Sequence, residues 1–174
     1  MTVRLLAAAA ALIGLCACGQ GKEGAEMSAE DVAKELAAVQ IDPGEWQATT
    51  QILSATGPLP KAALDQMVGQ RSSVNNCITP TQAARPSANF LAAQQGSDCT
   101  YRDFQMRGGK LAGTMTCSGG QIPGDMVTRM EGDYGRQSYD MVMDMETAGL
   151  PGGASLKIKA RTQGRRVGEC AATS

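Results

Sequence analysis

From Cys99 onward, apolar and polar residues alternate with a period of two, the pattern of strands that bury one face. The clearest run is SYDMVMDME. Tyr139, Met141, Met143 and Met145 share one side of it, and Asp140, Val142, Asp144 and Glu146 share the other. Leu156, Ile158 and Ala160 alternate in the same way with Lys157, Lys159 and Arg161. Paired antiparallel, these two strands set an acidic row beside a basic row, each opposed pair contributing about 0.2–1 kcal/mol. Glycine-rich breaks at Gly108-Gly109, Gly119-Gly120, 133–135 and 149–153 punctuate the pattern. They predict strands near 99–106, 110–118, 125–132, 136–147 and 155–163.

Upstream the period changes. Val32, Leu36 and Val39 recur at helical spacing behind Ser28, with Asp31 placed to complete a capping box. This predicts an amphipathic helix within 28–40. Asp42-Pro43-Gly44-Glu45 reads as a type II turn launching a strand over 45–54. A helical turn follows over 61–68, then a strand over 71–78. Thr79-Pro80 opens a short helix to Ala84, and 87–94 reads as another. The fold class is mainly β with short helices (α+β). About seven strands form an antiparallel meander, a curved sheet closing towards a barrel or sandwich, with helices on one side. The β domain is expected to occupy 41–174.

Residues 5–15 are almost entirely Leu, Ala and Ile. Crossing a bilayer takes about 20 apolar residues, so this run reads as an export leader. Leu15-Cys16-Ala17-Cys18 resembles the lipobox of bacterial lipoproteins. The resemblance implies cleavage after Ala17, a diacylglycerol thioether on Cys18 and acylation of the new amino terminus. Leu15 directly before Cys16 is too large for the cleavage position, so Cys16 is discarded with the leader over 1–17. Several acyl chains anchor stably where a single one does not. Gly19 in place of Asp favours the outer membrane, by the same resemblance. Localisation is therefore expected on the periplasmic side of the envelope, with 18–27, GQGKEGAEM after the lipid cysteine, as a flexible tether.

Four cysteines remain: Cys77, Cys99, Cys117 and Cys170. An even number in an oxidising compartment reads as two disulfides. No C-x-x-C pair and no histidine is present, which argues against zinc. A three-residue loop at Arg107-Gly108-Gly109 places Cys99 opposite Cys117 and leaves Cys77 for Cys170. A two-residue Gly-Gly turn shifts the register by one and favours Cys77–Cys99 with Cys117–Cys170 instead. The pairing stays open between these two.

Pro43-Gly44-Glu45-Trp46, NCITP at 76–80, MTCSGG at 115–120 and RRVGEC at 165–170 occur in that order. Together they resemble the DUF 3617 family of exported bacterial proteins of unknown function, over about 41–170. The resemblance implies export and a small, cysteine-bridged β domain. It brings no activity, cofactor or catalytic residue.

Candidate chemistry is sparse. The whole chain carries a net charge of −1, and loss of Arg4 with the leader makes it one unit more negative. Nucleic acid is therefore not an expected partner. Without histidine the commonest general base is missing. Asp140, Asp144 and Glu146 are the one carboxylate cluster, read as a solvated row facing Lys157, Lys159 and Arg161. Met126, Met130, Met141, Met143 and Met145 crowd one region. They read as core filling or as the lining of a ligand pocket. Cu(I), which suits thioethers, is a less favoured ligand than an apolar molecule, because alternate strand residues stand about 6–7 Å apart. Trp46 reads as a core anchor, and Arg161, Arg165 and Arg166 as a solvated end with headgroup or peptidoglycan contact as the alternative. No cofactor is expected. The function expected is a lipid-anchored, non-enzymatic binding or structural module, with an envelope protein as one kind of partner. The alternative is a periplasmic carrier of a small apolar ligand in a Met-lined cavity, and a carboxylate-based enzyme comes third.

Overall fold

One antiparallel sheet carries the fold in the computed structural model, which describes residues 26–84, 98–118 and 124–171. The elements run β1 (Glu26–Met27), α1 (Ala29–Ala37), β2 (Gly44–Thr56), α2 (Lys61–Met67), β3 (Arg71–Ile78), α3 (Pro80–Ala84), β4 (Asp98–Arg107), β5 (Lys110–Ser118), β6 (Met126–Tyr134), β7 (Ser138–Leu150) and β8 (Ala154–Gly168). The leader, Cys18, most of the tether and the expected helix over 87–94 lie outside the described residues.

The strand order is β1-β4-β5-β6-β7-β8-β2-β3. The meander β4 to β8 is as expected, and β2 returns to pair with β8. The mainly β fold with short helices is as expected: a single curved antiparallel sheet, here of eight strands, that stays open at its edges. The eighth strand is the end of the expected tether: Glu26 and Met27 pair with Arg102 and Tyr101 of β4. The physical reason is Met27, whose apolar side chain packs against the core when its backbone joins the sheet.

Ser28 and Asp31 form the capping box, satisfying two orphan N–H groups at the start of α1. The helix then buries Val32 and Leu36, with Val39 just beyond its end. Each such side chain contributes about 1.5–3 kcal/mol when fully buried. They pack on Tyr101, Phe104, Met106, Leu111, Met115 and Met130, so α1 lies against the β4–β6 side of one sheet face.

The β4–β5 hairpin differs from expectation in an instructive way. Its turn has two residues, with Arg107 opposite Lys110 and Met106 opposite Leu111. Gly108 and Gly109 both have positive φ, 59° and 77°, which a two-residue turn of this kind demands. By itself that register places Cys99 and Cys117 out of step. A bulge between Arg102 and Gln105 inserts one residue and restores the phase. Asp103, at φ 54°, is the only non-glycine with positive φ among the described residues. Beyond the bulge Cys99 faces Cys117, and the two form a disulfide with Cα atoms 4.1 Å apart. The second bridge joins Cys77 of β3 to Cys170, with Cα atoms 5.4 Å apart. The pairing Cys77–Cys99 with Cys117–Cys170 does not occur.

Candidate functional site

The concave face of the sheet is not filled. A cavity of about 380 Å³ lies between the end of α1 and the strands beneath it. Leu36, Val39 and Ile41 border it from the helix side. Met106 and Leu111 come from the β4–β5 hairpin, and Met130 and Tyr134 from β6. Tyr139, Met141 and Met143 come from β7. Opposite them stand Trp46, Ala48 and Thr50 of β2, Val74, Asn76 and Ile78 of β3, and Thr162 of β8. On each strand these are alternate residues, so the lining is the inward set that the period-two pattern defines. Val74, on the edge strand β3, is 60% exposed and marks an open side.

Three of the five methionines singled out from sequence meet here: Met130, Met141 and Met143. Met130 and Met143 are directly opposed in the β6–β7 ladder. Met126 and Met145 do not line the cavity, which corrects the expected set. The reason is distance along the strand at about 3.3 Å per residue. Met126 sits four residues, about 13 Å, from Met130, and Met145 two residues past Met143. Met145 instead borders a separate polar depression with Arg129, Glu146 and Lys157. Met106 takes a place that the sequence reading missed. The signal was the broken alternation of YRDFQM, in which Tyr101, Phe104 and Met106 are all buried because the bulge re-phases the strand.

The aromatic wall is fixed by several contacts. Trp46 stacks on Tyr139 with ring centroids 6.1 Å apart. Its indole Nε1 donates to the Asp42 carbonyl at 3.0 Å, so its polar atom is satisfied at the wall. Asp42 in turn accepts from Arg136 Nε at 3.0 Å and from Gln137 Nε2 at 2.9 Å. Those bonds, Gln137 foremost, hold the Asp42 carboxyl below the ordinary carboxylate value. They tie the start of β2 to the β6–β7 turn at one end of the cavity. Arg166 Nε donates to the Pro43 carbonyl at 2.6 Å, and its other arm pairs with Glu169. Arg165 donates to Gln47 at 3.2 Å. Burial pushes the Tyr139 phenol above its ordinary pKa, so it stays neutral across the physiological range.

The convex face carries the acidic and basic rows. Arg161 grips Asp140 through both Nε and Nη2, Lys159 reaches Asp144 at 3.2 Å, and Lys157 reaches Glu146 at 3.3 Å. Each of the three carboxylates therefore faces a cation of β8. Among the described residues no three His, Cys, Asp or Glu side chains are grouped to hold a metal ion.

Residues 41–170 match the family model described as "Protein of unknown function (DUF3617)". The chain belongs to the DUF3617 family. The DUF3617 segment contains both disulfides and every cavity-lining residue except Leu36 of α1 and Val39 just beyond it. In this DUF3617 protein, then, the cavity is completed by a helix that precedes the matched segment. No curated protein and no solved structure matches the chain.

Proposed function

We propose that this protein is a lipid-anchored, non-enzymatic carrier of a small apolar ligand on the periplasmic side of the cell envelope. The observation that supports the carrier role is the apolar cavity of about 380 Å³ on the concave face. It falls within the roughly 300–1,000 Å³ of small-molecule sites. A domain that needed only stability gains by filling such a space, since residual cavity volume costs about 24 cal/mol per Å³. The anchor rests on Leu15-Cys16-Ala17-Cys18 and its resemblance to a lipobox.

Trp46 is the only tryptophan in the chain and lines the cavity, so its emission reports occupancy. Titration of the purified protein with N-phenyl-1-naphthylamine is expected to quench Trp46. Ala48→Leu, which adds volume inside the cavity, is expected to weaken that binding at least tenfold while the thermal melt stays cooperative. Unchanged affinity in a folded Ala48→Leu protein defeats the carrier reading. For the anchor, Cys18→Ala is expected to move the protein from the membrane fraction to the soluble one.

A further inference from the structure

The polar atoms of the cavity say what kind of apolar molecule it takes. Thr50 and Thr162 are directly opposed in the β2–β8 ladder, and their hydroxyl oxygens lie 2.8 Å apart at the cavity wall. Thr162 is buried. Two hydroxyls carry two hydrogens, and a bond between them uses one. The second hydrogen, on whichever oxygen accepts, has no acceptor among the described residues. The pair therefore presents one free donor to the cavity.

The rest of the lining removes other options. Among the described residues no lysine, arginine, aspartate or glutamate lines the cavity. Trp46 has already given its N–H to Asp42, and Asn76 stands on the exposed edge strand. Tyr134 and Tyr139, the other hydroxyl carriers of the lining, are only half-buried, so water can serve them as it cannot serve the buried Thr162. An ionised ligand here leaves its charge unpaired, and burying an unpaired charge is far more costly than burying a neutral polar group. A pure hydrocarbon leaves the hydroxyl hydrogen unmet.

Building on the carrier reading, we infer that the cavity selects a neutral apolar molecule with one hydrogen-bond-accepting oxygen, a ketone, ester or alcohol, seated on the Thr50–Thr162 hydroxyl pair. Fatty-acid anions of the same length are rejected. The selection is a property of the pair as a unit, because either oxygen can turn its hydrogen toward the ligand.

The test displaces N-phenyl-1-naphthylamine from the full chain with three probes of matched size: 2-decanone, n-undecane and decanoate at pH 8. The wild-type protein is expected to prefer 2-decanone to decanoate at least tenfold. The double variant Thr50→Val, Thr162→Val keeps the shape and removes both hydroxyls, a change expected to be nearly neutral for folding. In it the ratio of 2-decanone to n-undecane affinity is expected to fall about fivefold, the usual worth of one hydrogen bond. Using the ratio cancels the cost of dehydrating the ketone. A ratio unchanged in the double variant, or decanoate binding as tightly as 2-decanone, overturns the inference and leaves the carrier reading standing. Failure of the wild-type protein to quench with N-phenyl-1-naphthylamine overturns both.

Discussion

Trp46 and Tyr139 stack across the backbone of Gly164, which lies opposite Tyr139 in the β7–β8 ladder and opposite Ala48 in the β2–β8 ladder. A Cβ built on Gly164 would stand 2.1 Å from the Tyr139 ring. The aromatic wall of the cavity therefore depends on a residue with no side chain.

Gly164→Ala is expected to displace the Tyr139 ring and unstack it from Trp46. Overpacking of this kind typically costs about 1–3 kcal/mol. Urea unfolding measures the loss. Because Trp46 is the sole tryptophan, a shift of its emission maximum in the folded variant identifies the wall as the part that moved.

The two disulfides are expected to differ in worth. Cys99 and Cys117 are separated by 18 residues and Cys77 and Cys170 by 93. In the chain-entropy account, a bridge closing the shorter loop contributes about 3 kcal/mol and one closing the longer about 4–5 kcal/mol. Cys77→Ala with Cys170→Ala is therefore expected to lower the urea midpoint more than Cys99→Ala with Cys117→Ala. The opposite order argues that the unfolded chain is already compact around β3.

The bulge at Asp103 sets the phase of β4, and its removal makes a sharp test. Deleting Asp103 while keeping the two-residue turn moves Cys99 to the opposite face from Cys117. Alkylation followed by mass measurement is expected to find two free thiols in the deletion variant and none in the parent. Asp103→Gly, which eases the positive φ without changing residue count, is expected to keep the bridge and to equal or exceed the parent in stability.

Acid is expected to erase the contribution of Asp140. The hydrogen bonds from Arg161, with Gln163 adding to them, hold its carboxyl below the ordinary value in the folded protein. The unfolded chain titrates near about 3.9. A depressed native pKa means stabilisation that is present above that value and is lost as the pH falls through the native one. Asp140→Asn is thus expected to lower the urea midpoint at pH 7, by no more than the modest amount typical of exposed pairs. The gap between variant and parent narrows as the pH falls below the unfolded value and through the native one. A gap that persists there shows that Asp140 acts by shape instead of charge.

Much of this architecture was legible because period-two patterning is a direct readout of one-sided burial. Ser138–Glu146 and Leu156–Arg161 placed both faces of β7 and β8 correctly, down to the ion pairs between them. The capping box at Ser28 and Asp31 located α1 for an equally local reason. What could not be read was set by the third dimension. The cavity exists because α1 meets only part of the concave face, so residues of one alternating series, Met143 and Met145, end in different surroundings. The bulge was hidden because Asp103 is an ordinary polar residue whose positive φ leaves no mark in the sequence, although the phase slip between Tyr101 and Phe104 betrays it. The return of β2 to β8 involves no local signal at all.

That return governs how the domain comes into being. β2 is synthesised about a hundred residues ahead of the strand it must join, a long-range pairing of the kind that slows folding. Until Ala154–Gly168 has emerged, the β2–β3 hairpin has nothing to dock on, and the cavity has only one of its two walls. The core of α1 and β4–β6 lies wholly ahead of residue 154 and can assemble first, whereas the far wall of the cavity waits for the last strand. A product ending before residue 154 therefore retains the residues of that core but lacks the strand on which β2 and β3 complete the binding space.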